Sequence, residues 1–328
     1  MTKLLSKNDV MKVLTMDDTI NILEKAFEDL SKDNAVMPQR TPIAAPDHSG
    51  LALFMPAYLK GMGAMGAKIV TVYKENLPKY NLPTVLGTIS LLDEKTGAPL
   101  AIMDGGYLTA MRTGAVAGLA SKLLAKEDAK VHALFGCGGM ARTHAWAVDC
   151  VRDIDKLVLF SVDPMEKREE FKKSLEEIIS CEIVIAGTAE EAVREADIVT
   201  LITSAKDPII DGDWLKPGAH VNGVGSHAPA MREIDTKSLV KSKVVCDLID
   251  ACAAEAGDFM IPIDEGKWSW DKAHGNLGDV ITGKISAREN DEEITLFKSV
   301  GLAIQDISTA YHVFEKADKE NVGTDFTF

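Results

Sequence analysis

VHALFGCGGMARTHAWAV, residues 131–148, sets an apolar run (131–135) against a glycine-rich turn, Gly136-Cys137-Gly138-Gly139-Met140-Ala141, and then a helical run through His144, Trp146 and Val148. This is a GxGxxA pattern in the order strand, turn, helix. In that setting Gly136 permits the tight turn, Gly138 lets backbone approach a pyrophosphate, and the small Ala141 allows close helix–strand packing, while Gly139 and Met140 lead into a helix start whose free N–H groups suit an anion. A glycine-rich turn with no ligand is the alternative, and the rhythm that follows argues against it. LVLF (157–160), a charged helix from about Pro164, CEIVIA (181–186), a helix near 189–195, IVTLIT (198–203), AHVNGVG (219–225) and KVVCDLI (243–249) succeed one another. Strands alternating with helices imply a parallel sheet covered on both faces, a doubly wound Rossmann domain.

The second strand of such a domain should end in a group that meets the adenosine ribose, about 20 residues past the loop. Ser161 and Asp163 stand there. An acidic residue favours NAD by accepting from the 2′-hydroxyl; Lys167 and Arg168, a turn or two on, leave NADP possible. Asp163 reads equally as a helix cap ahead of Pro164.

Upstream the pattern changes. Ile20, Ile22, Leu23, Ala26, Phe27 and Leu30 follow Asp17 and Asp18 at helical spacing, with the two aspartates as candidate N-caps. Between Pro38 and Asp104, short runs at 51–54, 67–73, 84–92 and 99–103 are broken by Pro, Gly and Asn, which predicts an antiparallel sheet. An unbroken small and apolar run at 108–124 predicts a buried helix that hands the chain over. Ile294, Phe297, Val300, Ile304, Ile307 and Tyr311 predict a helix across 291–315 that returns it. The expected organisation is an α+β domain over 1–116, joined by 302–328, and a Rossmann domain over 117–301.

The first domain gathers cations at Arg40, Lys68 and Arg112. Arg112 lies in an apolar helix and Lys68 in an apolar strand, where charge is costly unless paired, and arginine grips carboxylates with two parallel bonds. A structural ion pair or a snorkelling side chain is the other reading of each.

Composition narrows the function further. In 328 residues, 36 basic side chains against 50 acidic ones give a net charge of −14, which opposes nucleic-acid binding. No run approaches the roughly 18 apolar residues of a membrane span, and Lys7 and Asp9 interrupt the start, so a soluble cytoplasmic protein is expected. The five cysteines are scattered without CxxC pairs, and neither they nor His48, His132, His220, His274 and His312 show metal spacing.

MPQR (37–40), FMPAY (54–58), GAKIVTVY (66–73), the run around 96–116, FGCGGMARTHAWA (135–147), VNGVGSHAPAMREID (221–235) and TLFKSVGLAIQD (295–306) together resemble the ornithine cyclodeaminase/mu-crystallin family, in order and over nearly the whole chain. That family includes ornithine and lysine cyclodeaminases, an archaeal alanine dehydrogenase, ketimine and pyrroline-carboxylate reductases, and mu-crystallins that bind NADPH. The resemblance implies hydride transfer at the Cα of an amino or imino acid with NAD or NADP. It implies that Arg40, Lys68 and Arg112 hold the substrate carboxylate. It places Arg112, Thr113, the glycine loop, Thr203, Ser204 and Val224 along the cofactor, with Ser299, Val300 and Gly301 near the nicotinamide. It also implies a homodimer in which the first-domain sheets close into a shared barrel.

The chain departs from the cyclodeaminases at His227, where they carry an aspartate thought to bind the substrate amine and activate water. A histidine does not pair with the ammonium of ornithine as a carboxylate does, but it moves protons near neutral pH. The expectation is therefore a dehydrogenase or imine reductase with Lys68 or His227 as the proton carrier. A redox-neutral cyclodeaminase and a mu-crystallin-like binding protein without turnover are the alternatives, and His227 also reads as a residue that only caps or packs against the cofactor.

Overall fold

The computed structural model describes residues 1–327. The chain divides into two units, Thr113–Gly301 and Met1–Arg112 with the segment from Leu302 onward. The division falls inside the helix Gly106–Leu124, four residues before the expected boundary (116 − 112), at a point where an uninterrupted helix offers no turn residue to mark it.

The unit Thr113–Gly301 is built on a parallel sheet. Its strands are β8 (Val131–Phe135), β9 (Lys156–Phe160), β10 (Glu182–Ile185), β11 (Ile198–Leu201), β12 (His220–Gly223), β13 (Ser242–Cys246), β14 (Gly275–Asn276) and β15 (Ile294–Lys298). They lie in the order β10-β9-β8-β11-β12-β15-β13-β14, every pair parallel. Counted from β8, the first five read 3-2-1-4-5, the doubly wound order, and the reversal falls between β8 and β11, beside the glycine loop. The central strands β8, β11, β12 and β15 are buried on both faces, so nearly every residue of β11 and β12 is apolar or hydrogen-bonded.

That two-sided burial explains one wrong expectation. Ile294 and Phe297 belong to β15, and the C-terminal helix begins only at Ala303. In a strand covered on both faces any apolar spacing is allowed, and here it imitates a helical period.

The other unit carries a mixed sheet of β1 (Thr2–Leu5), β2 (Ala35–Val36), β3 (Thr41–Ala45), β4 (Gly50–Leu59), β5 (Ala64–Tyr73), β6 (Val85–Leu92) and β7 (Pro99–Asp104), with Thr324–Phe326 at one edge. All pairs are antiparallel except β1 with β7. On β5 the residues Ala64, Gly66, Lys68 and Val70 face inward in strict alternation. The C-terminal helix Ala303–Lys319 packs on β4 and β5 and against the helix Met16–Ser31. The latter is capped by Thr15, whose hydroxyl accepts from Asp18 N at 3.2 Å, and not by Asp17 or Asp18. A helix Lys7–Val13, closed by a reciprocal Ser6–Asp9 capping box, precedes it.

Candidate active site

The inward alternation of β5 places Lys68 opposite Met55 of β4 and Ile89 of β6, both buried. An ammonium in such a row needs a partner from the layer above, and the C-terminal helix supplies one. Asp306 is fully buried; its Oδ2 lies 2.6 Å from Lys68 Nζ and its Oδ1 accepts from Arg112 Nε at 2.9 Å. Arg112 Nη1 donates to Gln305 Oε1 at 2.6 Å. The structural ion pair considered for Lys68 and Arg112 therefore exists, yet it is unbalanced, with two buried cations on one carboxylate. Arg40, half-buried, adds a third positive charge to their surroundings. Burial pushes the Lys68 ammonium down from its usual 10.5 to about 8; Asp306 opposes the shift, and the charges of Arg112 and Arg40 add to it.

In the other unit Gly136 sits at φ +109°, and a Cβ there would come within 2.8 Å of the Ile202 carbonyl oxygen, so the turn requires glycine. Gly138 and Gly139 border open space on their side-chain faces. The helix Ala141–Val151 that follows has no side-chain cap at Met140, and Ala141 is buried. An uncapped helix start behind an open glycine face fits the pyrophosphate of a dinucleotide. Thr113 stands beside this helix, because a side chain at Gly114 or Gly118 would strike the backbone of Thr143 or Ala147.

Ser161 and Asp163 lie against the glycine loop. Asp163 Oδ2 accepts from Ser161 Oγ at 2.6 Å and from Cys137 Sγ at 3.0 Å, so the end of β9 is tied to the glycine turn itself. Hydrogen bonds from Lys167, Ser161 and Cys137 hold the Asp163 carboxyl well below the usual range. Pro164 occupies the N-cap position of the helix beyond, which has no side-chain capping bond, so Asp163 does not cap it. Lys167 commits its charge to Asp163 at 2.6 Å. An ionised carboxylate at this place suits a ribose hydroxyl and repels a 2′-phosphate.

Thr203 and the exposed Ser204 follow β11, buried Val224 follows β12, and His227 lies exposed two residues after Gly225, whose carbonyl accepts from His227 Nδ1 at 2.8 Å. A carbonyl only accepts, so Nδ1 carries the hydrogen and Nε2 the lone pair of the neutral ring. Ser299, Val300 and Gly301 follow β15, and Asp247 Oδ2 gathers Ser299 Oγ, Val300 N and Gly301 N at 2.7, 2.9 and 3.0 Å. Sequence reasoning missed Asp247 and Asp306. For Asp306 the signal was available, a single charge within the small and apolar run LAIQDISTA, the same anomaly that singled out Arg112.

One chain that carries both a doubly wound dinucleotide domain and a domain with a buried cation cluster has the parts of a nicotinamide-dependent enzyme of small carboxylates. Residues 1–321 match the model of the ornithine cyclodeaminase/mu-crystallin family, and the chain belongs to that family. Among solved structures, it is similar to the Delta(1)-pyrroline-2-carboxylate reductase of Thermococcus litoralis in complex with NADH and L-proline, with 41% identity, 99% of this chain and 100% of that one covered, and a TM-score of 0.95. It is similar also to an archaeal alanine dehydrogenase dimer with bound NAD (34% identity, 100% and 99% covered, TM-score 0.93). A Delta(1)-pyrroline-2-carboxylate reductase of Bacillus thuringiensis is 38% identical over 325 residues, 99% of each chain.

Proposed function

We propose that this protein is an NADH-dependent reductase of small cyclic α-imino acids, with pyrroline-2-carboxylate as the leading substrate and proline as its product. The observation that carries the reading is the charge balance around Lys68: Lys68 and Arg112 share one carboxylate, Asp306, and so leave a buried excess of one positive charge. A buried excess of charge is costly until an anion of the right size arrives, and a substrate carboxylate is that anion. Two of the five guanidinium hydrogens of Arg112 go to Asp306 and Gln305, which leaves three for the substrate, with Arg40 as a second donor.

A bound nicotinamide would supply the hydride chemistry at the substrate Cα. The protein's own groups hold and move the rest. Arg112 and Arg40 orient the substrate by its carboxylate. Lys68 titrates near pH 8, so at neutral pH it is charged and can give a proton to an imine nitrogen; the same group, neutral, takes the proton back in the oxidative direction. His227, with its lone pair on Nε2, is the second proton carrier. Gly136, Gly138, Gly139 and the helix start hold the pyrophosphate, Asp163 with Ser161 the adenosine ribose, and Thr113, Thr203, Ser204, Val224 and Ser299–Gly301 line the remainder.

We propose a homodimer as well, supported by apolar residues exposed on the mixed sheet: Ile43, Phe54, Ile69, Val85 and Leu86, with Phe54 paired across strands to Ile69. Among the described residues no helix is long and apolar enough to cross a membrane.

The test is steady-state turnover of NADH or NADPH with pyrroline-2-carboxylate, piperideine-2-carboxylate, and pyruvate plus ammonia, alongside ornithine with NAD. NADH oxidation with a cyclic imino acid as the best substrate is expected. Proline and ammonia formed from ornithine without net cofactor change would replace this reading with a cyclodeaminase.

A further inference from the structure

Three ionisable residues of the unit Thr113–Gly301, Glu233, Asp258 and Lys298, are fully buried. Buried ionic clusters are expensive, and their worth lies in the geometry they impose. Glu233 Oε1 accepts from Thr203 N at 2.6 Å and Thr203 Oγ1 at 2.8 Å, and its Oε2 accepts from Ser226 N at 2.9 Å. One carboxylate thus joins the loop after β11 to the loop after β12. Lys298 Nζ donates to the Ser226 carbonyl at 2.6 Å and to Asp258 Oδ2 at 2.7 Å, while Asp258 Oδ1 accepts from the backbone N–H groups of Glu233 and Ile234 at 2.7 and 3.0 Å. Gly225 leaves no room for a side chain between Thr203 and Glu233. The residue immediately before His227 is therefore gripped at both ends, its N–H by Glu233 and its carbonyl by Lys298, and that carbonyl belongs to the peptide bond that enters His227.

We infer that Glu233, Asp258 and Lys298 are positioning residues for the reaction, which set the place of His227 and bind its loop to the Thr203–Ser204 loop. The inference rests on the reading that His227 carries a proton in turnover. Both oxygens of Glu233 face a backbone N–H, so a glutamine there can satisfy only one of the two loops and must turn its amide hydrogens toward the other.

The experiment is a double-mutant cycle on the whole protein with NADH and the best imino-acid substrate, using Glu233→Gln, His227→Ala and the pair. Expected is a fall in kcat of roughly 10- to 100-fold for Glu233→Gln, with the imino-acid KM changed by less than about threefold, and a double variant no slower than His227→Ala alone. Losses that multiply in the double variant would overturn the inference while leaving His227 in its role. A His227→Ala variant with unaltered kcat would instead overturn the reading of His227, and the inference with it. If Glu233→Gln does not fold, Asp258→Asn, which keeps an oxygen for the Glu233 and Ile234 N–H groups but removes the charge that holds Lys298 Nζ at 2.7 Å, takes its place in the cycle under the same two criteria.

Discussion

Removing the charge of Asp306 while keeping its shape tests how the cation cluster is balanced. In Asp306→Asn the negative charge 2.6 Å from Lys68 Nζ is gone, and the one remaining oxygen can accept from Arg112 Nε or from Lys68 but not from both, so two cations remain in an apolar layer. Breaking a buried pair on one side costs about 3–5 kcal/mol unless the orphaned charge neutralises, and Lys68 is the group able to do so. An opposite charge at this range is worth roughly 1–3 pH units. Lys68, at about 8 in the parent, therefore titrates near roughly 5–7 in the variant. At pH 7.5 its protonated fraction falls from about three-quarters to somewhere between about a quarter and a few thousandths, which predicts a roughly 3- to 200-fold loss of reductive kcat/KM that shrinks as the pH is lowered. The assay is the pH dependence of NADH oxidation with the imino acid from pH 5 to 9.5. In the parent the activity falls on the alkaline side near pH 8; in the variant that fall moves down by at least one unit. An alkaline limb that stays near 8 in Asp306→Asn would refute the role of Lys68 as proton donor and of Asp306 as the group that sets it.

The same lysine links stability to pH. Between about 8 and 10.5 the unfolded chain holds a proton that the folded one has lost, so stability from Lys68 rises with pH across that window, by about 2 kcal/mol from pH 7.5 to 10, and Lys68→Met should remove this increment in urea denaturation at the two pH values. Arg112→Lys keeps the charge but cannot reach Asp306 and Gln305 with a planar fork; kcat/KM should fall roughly 100-fold with the imino acid, and unchanged kinetics would make Arg112 structural only. Asp163→Ala removes the carboxylate that opposes a 2′-phosphate and frees Lys167, so the ratio of kcat/KM for NADPH to that for NADH should rise about tenfold or more.

How far the fold could be read in advance depended on what each element faces. The parallel sheet was legible because strands buried on both faces give dense apolar runs, and GxGxxA fixed where the first of them turns. The same property disguised Ile294–Lys298 as part of a helix. Thr2–Leu5 and the helix Lys7–Val13 were missed because four- and seven-residue elements carry little periodicity, and both depend on partners far along the chain, Pro99–Asp104 and Ala303–Lys319. A lone charge among apolar neighbours singled out Lys68 and Arg112, which the fold brings together on Asp306, and applied evenly would have singled out Asp306 as well. Lys298 carried the same signal in ITLFKSVGLAI, whereas Glu233 and Asp258 gave none, since their partners are largely backbone groups that only the folded loops bring within reach.

The most direct test of the account follows a label. NADH carrying deuterium at the transferred C4 position is turned over with pyrroline-2-carboxylate, and the proline formed is examined by NMR and mass spectrometry. One deuterium at the proline Cα for each NADH consumed is the predicted result. Proline without deuterium at Cα, or proline formed with no NADH consumed, would contradict the assignment of this protein as an imino-acid reductase.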